Sequence, residues 1–411
     1  MIPITNEKNF KDIKTVHLQL GPECNMHCRH CQQMPSKSHV LSIRKPTEEV
    51  KKVIGNFILY TQKKGSELHK DSKGDPHYRL FFWGGEALLH WELIKELVVE
   101  YTEKYNILSN EAFRFVVTSN GLLLTDEMVE FFNKYEVIFY FSYDAPYPFA
   151  VRGFVPDEIC ERVNRIRFHK ILASGNAINC DPMLAYNCLM KKFPYAQNYD
   201  VGIMVMRTFD MAKDIDNYDW EKVRVAIRKV VIAAKQGNEF ALDFVKQLAF
   251  PYVHSDINFF RVTGGLPYCI LGKYLFALDL EGNIPICHDS CIKIGSINDS
   301  LEEIYNKSTA FVKNRMKNIQ CSNCEHKDFC VGPCPLTKTD KDGDFLMCKN
   351  FKRPFQAIVK EEIMAFGNPL SSKEKEWFQE QEEIMERQVQ AFLLEGQRYE
   401  KERTRLPKNM V

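Results

Sequence analysis

Three observations predict an α/β fold: a parallel sheet flanked by helices, followed by a small cysteine-rich region and a charged helix. Short β-rich runs alternate with amphipathic helical stretches from about residue 14 to residue 235. Cysteines then gather at close spacing between about 265 and 352, and residues 371–405 read as one charged helix. Strand–helix alternation indicates a parallel sheet with helices on its faces, flat or curled into a barrel.

The strands read as Thr15–Leu20, Arg79–Trp83, Phe113–Thr118, Val137–Tyr143, Ile166–Leu172 and Val201–Met206. Each is a short β-branched or aromatic run bounded by polar or breaker residues. The intervening helices read as Thr47–Lys64, Leu88–Tyr105, Asp126–Tyr135, Asp157–Asn164 and Met183–Lys191, with Trp220–Lys235 after the last strand. Six such units are too few to assume a closed eight-fold barrel. Residues 65–78 are polar and breaker-rich and read as a surface loop. Near Phe240 the alternation ends. A hairpin is expected at Tyr274–Leu280, turning at Glu281-Gly282-Asn283 into Ile284–Cys287, and a short helix at Leu301–Asn306. Ser371 or Ser372 starts the final helix, which carries Trp377, Phe378, Ile384, Phe392, Leu393 and Leu394. Those apolar residues either form a docking face or pack the helix on its own domain.

The 411 residues can bury a sizeable core and suggest two or three domains. With 55 basic and 54 acidic side chains, nothing marks a nucleic-acid-binding stripe or an acidic tail. The first residues lack the apolar core of a signal peptide, and no run approaches membrane-spanning length. Closely clustered cysteines without an export signal argue for metal rather than disulfides, and a cytoplasmic location is expected.

Ten of the 14 cysteines fall into two ordered sets. The first is Cys24-x3-Cys28-x2-Cys31, directly after the first strand. The second is Cys269, Gly282 and Cys287, then Cys321-x2-Cys324-x5-Cys330-x3-Cys334, and last Cys348. Thiolates grouped this way bind soft metals, and sets of three and seven fit poorly to structural zinc, which wants closed sets of four. Zinc alternatives exist for both: a knuckle with His27 or His30 as the fourth ligand, and treble-clef-like sites downstream. Cys160, Cys180 and Cys188 lie outside both sets and read as core residues.

Cys24-Asn25-Met26-His27-Cys28-Arg29-His30-Cys31 resembles the signature of the radical S-adenosylmethionine enzymes, with His30 at the usual aromatic position. Gly84-Gly85-Glu86 after the second strand resembles that family's Gly-Gly-Glu motif. Ser119-Asn120-Gly121 and Ser142-Tyr143-Asp144 end the next two strands, and Arg152 follows. The resemblance implies a partial (β/α)6 TIM-like barrel over residues 1–240. It also implies a 4Fe–4S cluster on Cys24, Cys28 and Cys31 whose open iron is chelated by S-adenosylmethionine. An electron from that cluster would cleave the sulfonium and give a 5′-deoxyadenosyl radical. His30, Gly84, Gly85, Glu86, Ser119, Asn120, Ser142, Asp144 and Arg152 would contact the cofactor. The glycines would allow close backbone approach to the ligand, Glu86 would accept from the ammonium, and Arg152 would sit near the carboxylate. Taken singly, each segment also reads as an ordinary turn or helix cap.

The second cysteine set resembles the SPASM extension of the same superfamily, over residues 265–352 with a linker at 241–264 and a helical extension at 353–411. That implies two auxiliary 4Fe–4S clusters. Cys321, Cys324, Cys330 and Cys348 would hold the outer one, and Cys269, Cys287 and Cys334 the inner one. The inner set is one ligand short, so its iron is open or Cys291 completes it. Asp289 and His288 follow an inner ligand and are candidate bases for the proton lost when a carbon radical is oxidised. Both could instead orient a ligand. For an epimerisation, Cys291 or Cys188 would have to return hydrogen.

The expected function is hydrogen abstraction from a peptide or protein substrate in peptide maturation, giving an oxidation or a thioether or carbon–carbon crosslink. The alternatives are a radical enzyme acting on a sugar or amino acid, or a non-catalytic iron–sulfur electron carrier. The first strand starts by about residue 15, leaving no room for an N-terminal leader-grip domain. A separate leader-binding protein is one expected partner, and flavodoxin or ferredoxin is the expected reductant. Neither nucleic acid nor membrane is expected as a partner.

Overall fold

The computed structural model describes residues 10, 13–31, 44–65, 78–147, 151–196, 201–204, 218–253, 275–287, 290, 292–315, 324–326, 336 and 348–403. Seven strands form one sheet: β1 (Thr15–Gln19), β2 (Tyr78–Trp83), β3 (Phe113–Ser119), β4 (Ile138–Ser142), β5 (His169–Ser174), β6 (Val201–Met204) and β7 (Leu275–Asp279). Their order is β6-β5-β4-β3-β2-β1-β7, and every neighbouring pair is parallel. The sheet is open, with β6 and β7 at its two edges. The first six strands run in sequence across it, as expected of a partial (β/α)6 barrel.

The connecting helices are α1 (Glu48–Gly65), α2 (Trp91–Tyr105), α3 (Asp126–Lys134), α4 (Asp157–Asn164), α5 (Pro182–Lys192) and α6 (Trp220–Lys235). Their starts carry the chemistry that helices need. Thr125, Asp181 and Asp219 each accept a bond from a backbone N–H in the first turn of α3, α5 and α6. Side chains alternate across each strand, so the sheet has two unlike faces. One carries Val16, Leu18, Leu80, Phe82, Phe113, Phe115, Val117, Phe139, Phe141 and Ile171, all fully buried against the helices. The other is only half covered, and Thr15, Gln19, Trp83, Thr118, Tyr140 and Ser142 on it remain partly exposed. Its middle is aromatic. His17 stacks on Phe81 at 4.6 Å and meets Trp83 edge-on at 5.4 Å, while Phe81 meets Tyr140 edge-on at 5.3 Å.

Four sequence expectations need correction. The fifth strand begins at His169 rather than Ile166, because Ile166 closes α4 by bonding to Val163 O and Arg167 N is held by Asn133. The segment expected to open the 241–264 linker is helical: α7 spans Glu239–Val253. It packs through the buried Ala241, Phe244 and Val245, and the Phe240 ring stacks on Tyr186 at 4.0 Å. The expected hairpin at 274–287 is rearranged. The turn at Gly282 is present, but β7 joins the parallel sheet beside β1 and buries Phe276, Ala277 and Leu278. The run Leu275–Leu278 is apolar, and pairing at the edge of the main sheet covers more of it than an isolated two-stranded hairpin would. The next strand, β8 (Asn283–Pro285), pairs instead with β9 (Lys293–Ser296), antiparallel. Finally, the helix expected at 301–306 is longer, α8 spanning Leu301–Arg315.

After α9 (Arg353–Met364) comes α10, Ser372–Arg403. Ser371 starts it through a reciprocal capping box: Glu374 N donates to Ser371 Oγ at 3.2 Å, and Ser371 N donates to Glu374 Oε2 at 2.9 Å. Phe378, Met385, Val389 and Phe392 are buried in the main core, with α5 and α6 as neighbours. The Arg228 guanidinium lies over the Trp377 ring, 5.7 Å from the ring centroid. Of the two readings of this helix, packing on its own domain is the one observed. Ile384 and Leu394 are turned outward. Among the described residues no helix is long and apolar enough to cross a membrane.

Because Ser371 satisfies the exposed first turn of α10, Ser371→Ala is expected to lower stability by about 1 kcal/mol. Thermal melting of the two proteins side by side checks this, and an unchanged midpoint would mean that burial of Phe378 and Phe392 alone sets the helix start.

Candidate active site at the carboxyl ends of the strands

The cysteine loop leaves β1 at Leu20, and its position is set by the end of β2. Leu20 N donates to Trp83 O at 2.7 Å, Gly85 N to Gly21 O at 2.9 Å and Glu86 N to Glu23 O at 2.7 Å. Two extended backbones are thus laced together before either motif begins to turn. There is no space between them. A Cβ on Gly84 would lie 2.5 Å from Gly21 O, and one on Gly85 would fall inside contact distance of the carbonyls of Pro22 and Glu23. The missing side chains at these glycines admit the root of the cysteine loop.

Glu86 is almost wholly buried. Its Oε1 accepts from Leu88 N at 2.9 Å and from Ser119 Oγ at 2.6 Å, and its Oε2 accepts from Asn120 N at 2.8 Å. Burial pushes its carboxyl above the usual range, against the three donors that hold it down. The carboxylate therefore ties the ends of β2 and β3 together, with three of its roughly four acceptor positions filled. Asn120 extends the link to the loop, since its Nδ2 donates to Asn25 Oδ1 at 2.8 Å. Ser142 stands on the half-covered face of β4, opposite Leu172.

Cys24 and Cys28 are buried and Cys31 is partly exposed. Met26 and Leu122 pack against them, giving the three thiols an apolar setting. Behind them lies a charged group. Asp144, fully buried, accepts from Ser174 N at 2.7 Å and from Arg152 Nε at 3.0 Å. Arg152 Nη1 reaches Cys28 Sγ at 3.7 Å, and Nη2 lies 3.4 Å from His30 Nε2. Burial works against the guanidinium charge, but Asp144 and Cys28 outweigh it and raise the Arg152 pKa. Arg29 N also donates to Val151 O at 2.9 Å. His30 thus faces Asp144 and Arg152, and His27 is exposed. A buried apolar setting with three thiols on one loop suits an iron–sulfur cluster bound through cysteine alone.

Sequence reasoning missed Glu23 and His90. Glu23 immediately precedes Cys24, and its Oε2 lies 3.3 Å from His90 Nε2, both side chains being buried. Burial lowers the His90 pKa. Only the position of Glu23 beside Cys24 could have signalled it, because His90 comes from the 3-10 turn Ala87–His90 after β2 and meets Glu23 only through the fold. A cavity of about 330 Å³ adjoins this corner, lined by Gln19, Gly21, Arg44, Gly84, Asp279 and Lys293, among others. Gln19 Nε2 donates across it to Ser290 O at 3.4 Å.

The downstream cysteines are described only in part. Cys287 follows β8 and is partly exposed, Cys324 is partly exposed, and Cys348 is buried at the start of a π-helical turn. Cys269, Cys291, Cys321, Cys330 and Cys334, with His288 and Asp289, lie outside the described residues. Cys160 and Cys188 are core residues as expected, and burial pushes the Cys188 thiol up to about 12. Cys180 is half-buried and packs against the main core, next to the Asp181 cap.

Residues 18–174 match the model of the Radical SAM superfamily. The radical SAM cyclopropyl synthase TigE of Paramaledivibacter caminithermalis is 21% identical over 389 residues, spanning 87% of this chain and 76% of that protein. Among solved structures, polyhistidine-tagged anSMEcpe with bound AdoMet has a TM-score of 0.57 at 16% identity, covering 89% of this chain and 98% of that one. Native anSMEcpe with bound AdoMet and the Cp18Cys peptide has a TM-score of 0.55 at 16% identity, covering 86% and 99%. The fold is therefore shared along nearly the whole length of those chains.

Glu86→Gln is expected to destabilise the protein by about 1–3 kcal/mol, the cost of one buried donor left facing another. Leu88 N addresses one oxygen and Asn120 N the other, so an amide nitrogen must confront a backbone N–H in either orientation. Denaturant unfolding checks this. Equal midpoints would show that the carboxylate is not the tie between β2 and β3. Gly85→Ala is expected to displace the cysteine loop and to reduce iron bound after anaerobic reconstitution, read by iron analysis against the parent protein.

Proposed function

From the radical S-adenosylmethionine domain carried by residues 18–174, we propose that the chain is a peptide- or protein-modifying enzyme with a SPASM auxiliary domain. The observation that carries the reading is the convergence of Cys24, Cys28 and Cys31 with the Gly84–Glu86, Ser119–Asn120 and Asp144–Arg152 segments at one rim of a parallel sheet. Ligands of open α/β sheets bind outside the carboxyl ends of the strands. A 4Fe–4S cluster with S-adenosylmethionine supplies one-electron cleavage of the sulfonium and a carbon radical able to take hydrogen from unactivated carbon. The chain's own contribution is to hold and shield that group. Buried Cys24 and Cys28, with the partly exposed Cys31, would hold three of its irons. Backbone groups of Gly84 and Gly85, the Ser142 hydroxyl and the remaining donors of Arg152 are candidates to orient the amino acid and ribose of the cofactor. The half-covered face, with Trp83, Tyr140 and Gln19, is where a substrate would lie beneath it.

Four considerations support a peptide substrate. The anSMEcpe fold, solved with AdoMet and a peptide, is shared along most of both chains. The polar cavity beside Gly84 carries charges of both signs, which suits a polypeptide backbone with varied side chains. The order of Cys269, Cys287, Cys321, Cys324, Cys330, Cys334 and Cys348 resembles the SPASM pattern. A relative named a cyclopropyl synthase fits the carbon–carbon branch of the expected chemistry. We assign Cys321, Cys324, Cys330 and Cys348 to an outer auxiliary cluster, and Cys269, Cys287 and Cys334 to an inner one, with Cys291 or an open iron completing the latter. His288 or Asp289, directly after Cys287 in the chain, would take the proton released on oxidation. A flavodoxin or ferredoxin would supply the electron.

Anaerobically reconstituted protein is expected to hold about twelve irons, and a Cys24/Cys28/Cys31→Ala variant about eight. With dithionite and S-adenosylmethionine, only the parent should form 5′-deoxyadenosine. Zinc in place of iron, or clusters without deoxyadenosine, would overturn the reading.

A further inference from the structure

Arg152 makes contacts that a cofactor clamp does not need. Its guanidinium is nine-tenths buried and has five N–H groups. One is given to Asp144 at 3.0 Å, one to Cys28 Sγ at 3.7 Å, and another lies 3.4 Å from His30 Nε2. Asp144 is itself fixed, fully buried and bonded to the backbone N–H of Ser174. The main chain repeats the arrangement: Val151 O accepts from Arg29 N, inside the cysteine loop. Side chain and backbone therefore fasten the 151–152 segment to the loop between Cys28 and Cys31.

We infer that Arg152 is a positioning residue for the Cys28 thiolate, held by Asp144 and shared with His30, and that it tunes the cluster before S-adenosylmethionine arrives. The inference rests on the radical S-adenosylmethionine reading above. Its physical basis is simple. A cation donating a hydrogen bond to a thiolate ligand stabilises the more negative, reduced form of a cluster and fixes the sulfur's direction. Asp144 balances the guanidinium, so the arrangement can stay buried without an uncompensated charge. The rim position of Arg152 alone suggested a carboxylate clamp; its three contacts go instead to the protein's own Asp144, Cys28 and His30.

The two roles separate in protein that has not met S-adenosylmethionine. Parent, Arg152→Gln and Arg152→Lys proteins are reconstituted anaerobically, checked for folding by far-UV circular dichroism, and titrated with dithionite under electron paramagnetic resonance. To isolate the signal, the same variants are made in a background with both auxiliary sets replaced, Cys321/Cys324/Cys348→Ala for the outer cluster and Cys269/Cys287/Cys291/Cys334→Ala for the inner one. Arg152→Gln is expected to shift the cluster's midpoint potential to more negative values and to lower its iron retention about 10-fold. Arg152→Lys keeps a cation beside Asp144 but cannot address Asp144, Cys28 and His30 together, so a smaller shift in the same direction is expected. An unchanged potential and spectrum without S-adenosylmethionine, with only weaker binding of that cofactor, would overturn the inference and return Arg152 to the clamp role. A parent protein that binds no iron would sink the radical-enzyme reading itself, and this inference with it.

Discussion

Everything at the rim depends on how closely two backbones approach. The cysteine loop leaves β1 through Leu20, Gly21, Pro22 and Glu23, and the end of β2 runs against it through Trp83, Gly84, Gly85 and Glu86 with three backbone hydrogen bonds. Missing side chains on two adjacent residues make that contact possible, because a Cβ on either would strike a carbonyl of the neighbouring segment. The strand ends are thus fixed independently of any ligand. A loop with three thiols has little structure of its own, and it inherits its geometry from this seam.

Buried charge then distributes that geometry around the rim. Glu86 joins β2 to β3, and Asp144 joins β4 to the end of β5 while holding Arg152 against the loop. Each carboxylate is withdrawn from water, yet each is met by backbone or side-chain donors. The arrangement is rigid because every change of position would strand a donor. Such preorganisation is what a reactive cofactor requires, since its chemistry tolerates neither water nor loose geometry. Glu23 and His90 form a further buried pair on the opposite side of the loop.

The remainder of the fold gives the rim a stable base and leaves one surface open. The helix-facing side of the sheet is filled by aliphatic and phenyl side chains, and α10 adds Phe378, Met385, Val389 and Phe392 to the same core. The opposite side is lined by Phe81, Tyr140, Trp83 and His17 and is only partly covered. β7 extends the sheet beyond β1, so the Gly282 turn and the β8–β9 pair stand next to the end of β1. That placement forms the cavity between Gly21, Gly84 and Lys293.

The sequence alone determined what depends on neighbours along the chain. Alternating β-rich and amphipathic runs located the first six of the seven sheet strands and their helices to within a few residues, since periodicity is a local record of which face is buried. Cysteine spacing picked out the three-thiol loop after β1, and Ser371 or Ser372 marked the start of α10, where Ser371 forms the capping box. What only the tertiary structure decided depends on residues far apart in the chain. Nothing local says that β7 pairs with β1, that Glu86 bonds to Ser119 and Asn120, that His90 meets Glu23, or that Arg152 turns toward Cys28. Motifs name the chemistry available at a site. The partners of each group are chosen by desolvation, which leaves a buried polar atom only the neighbours that the fold brings within bonding distance.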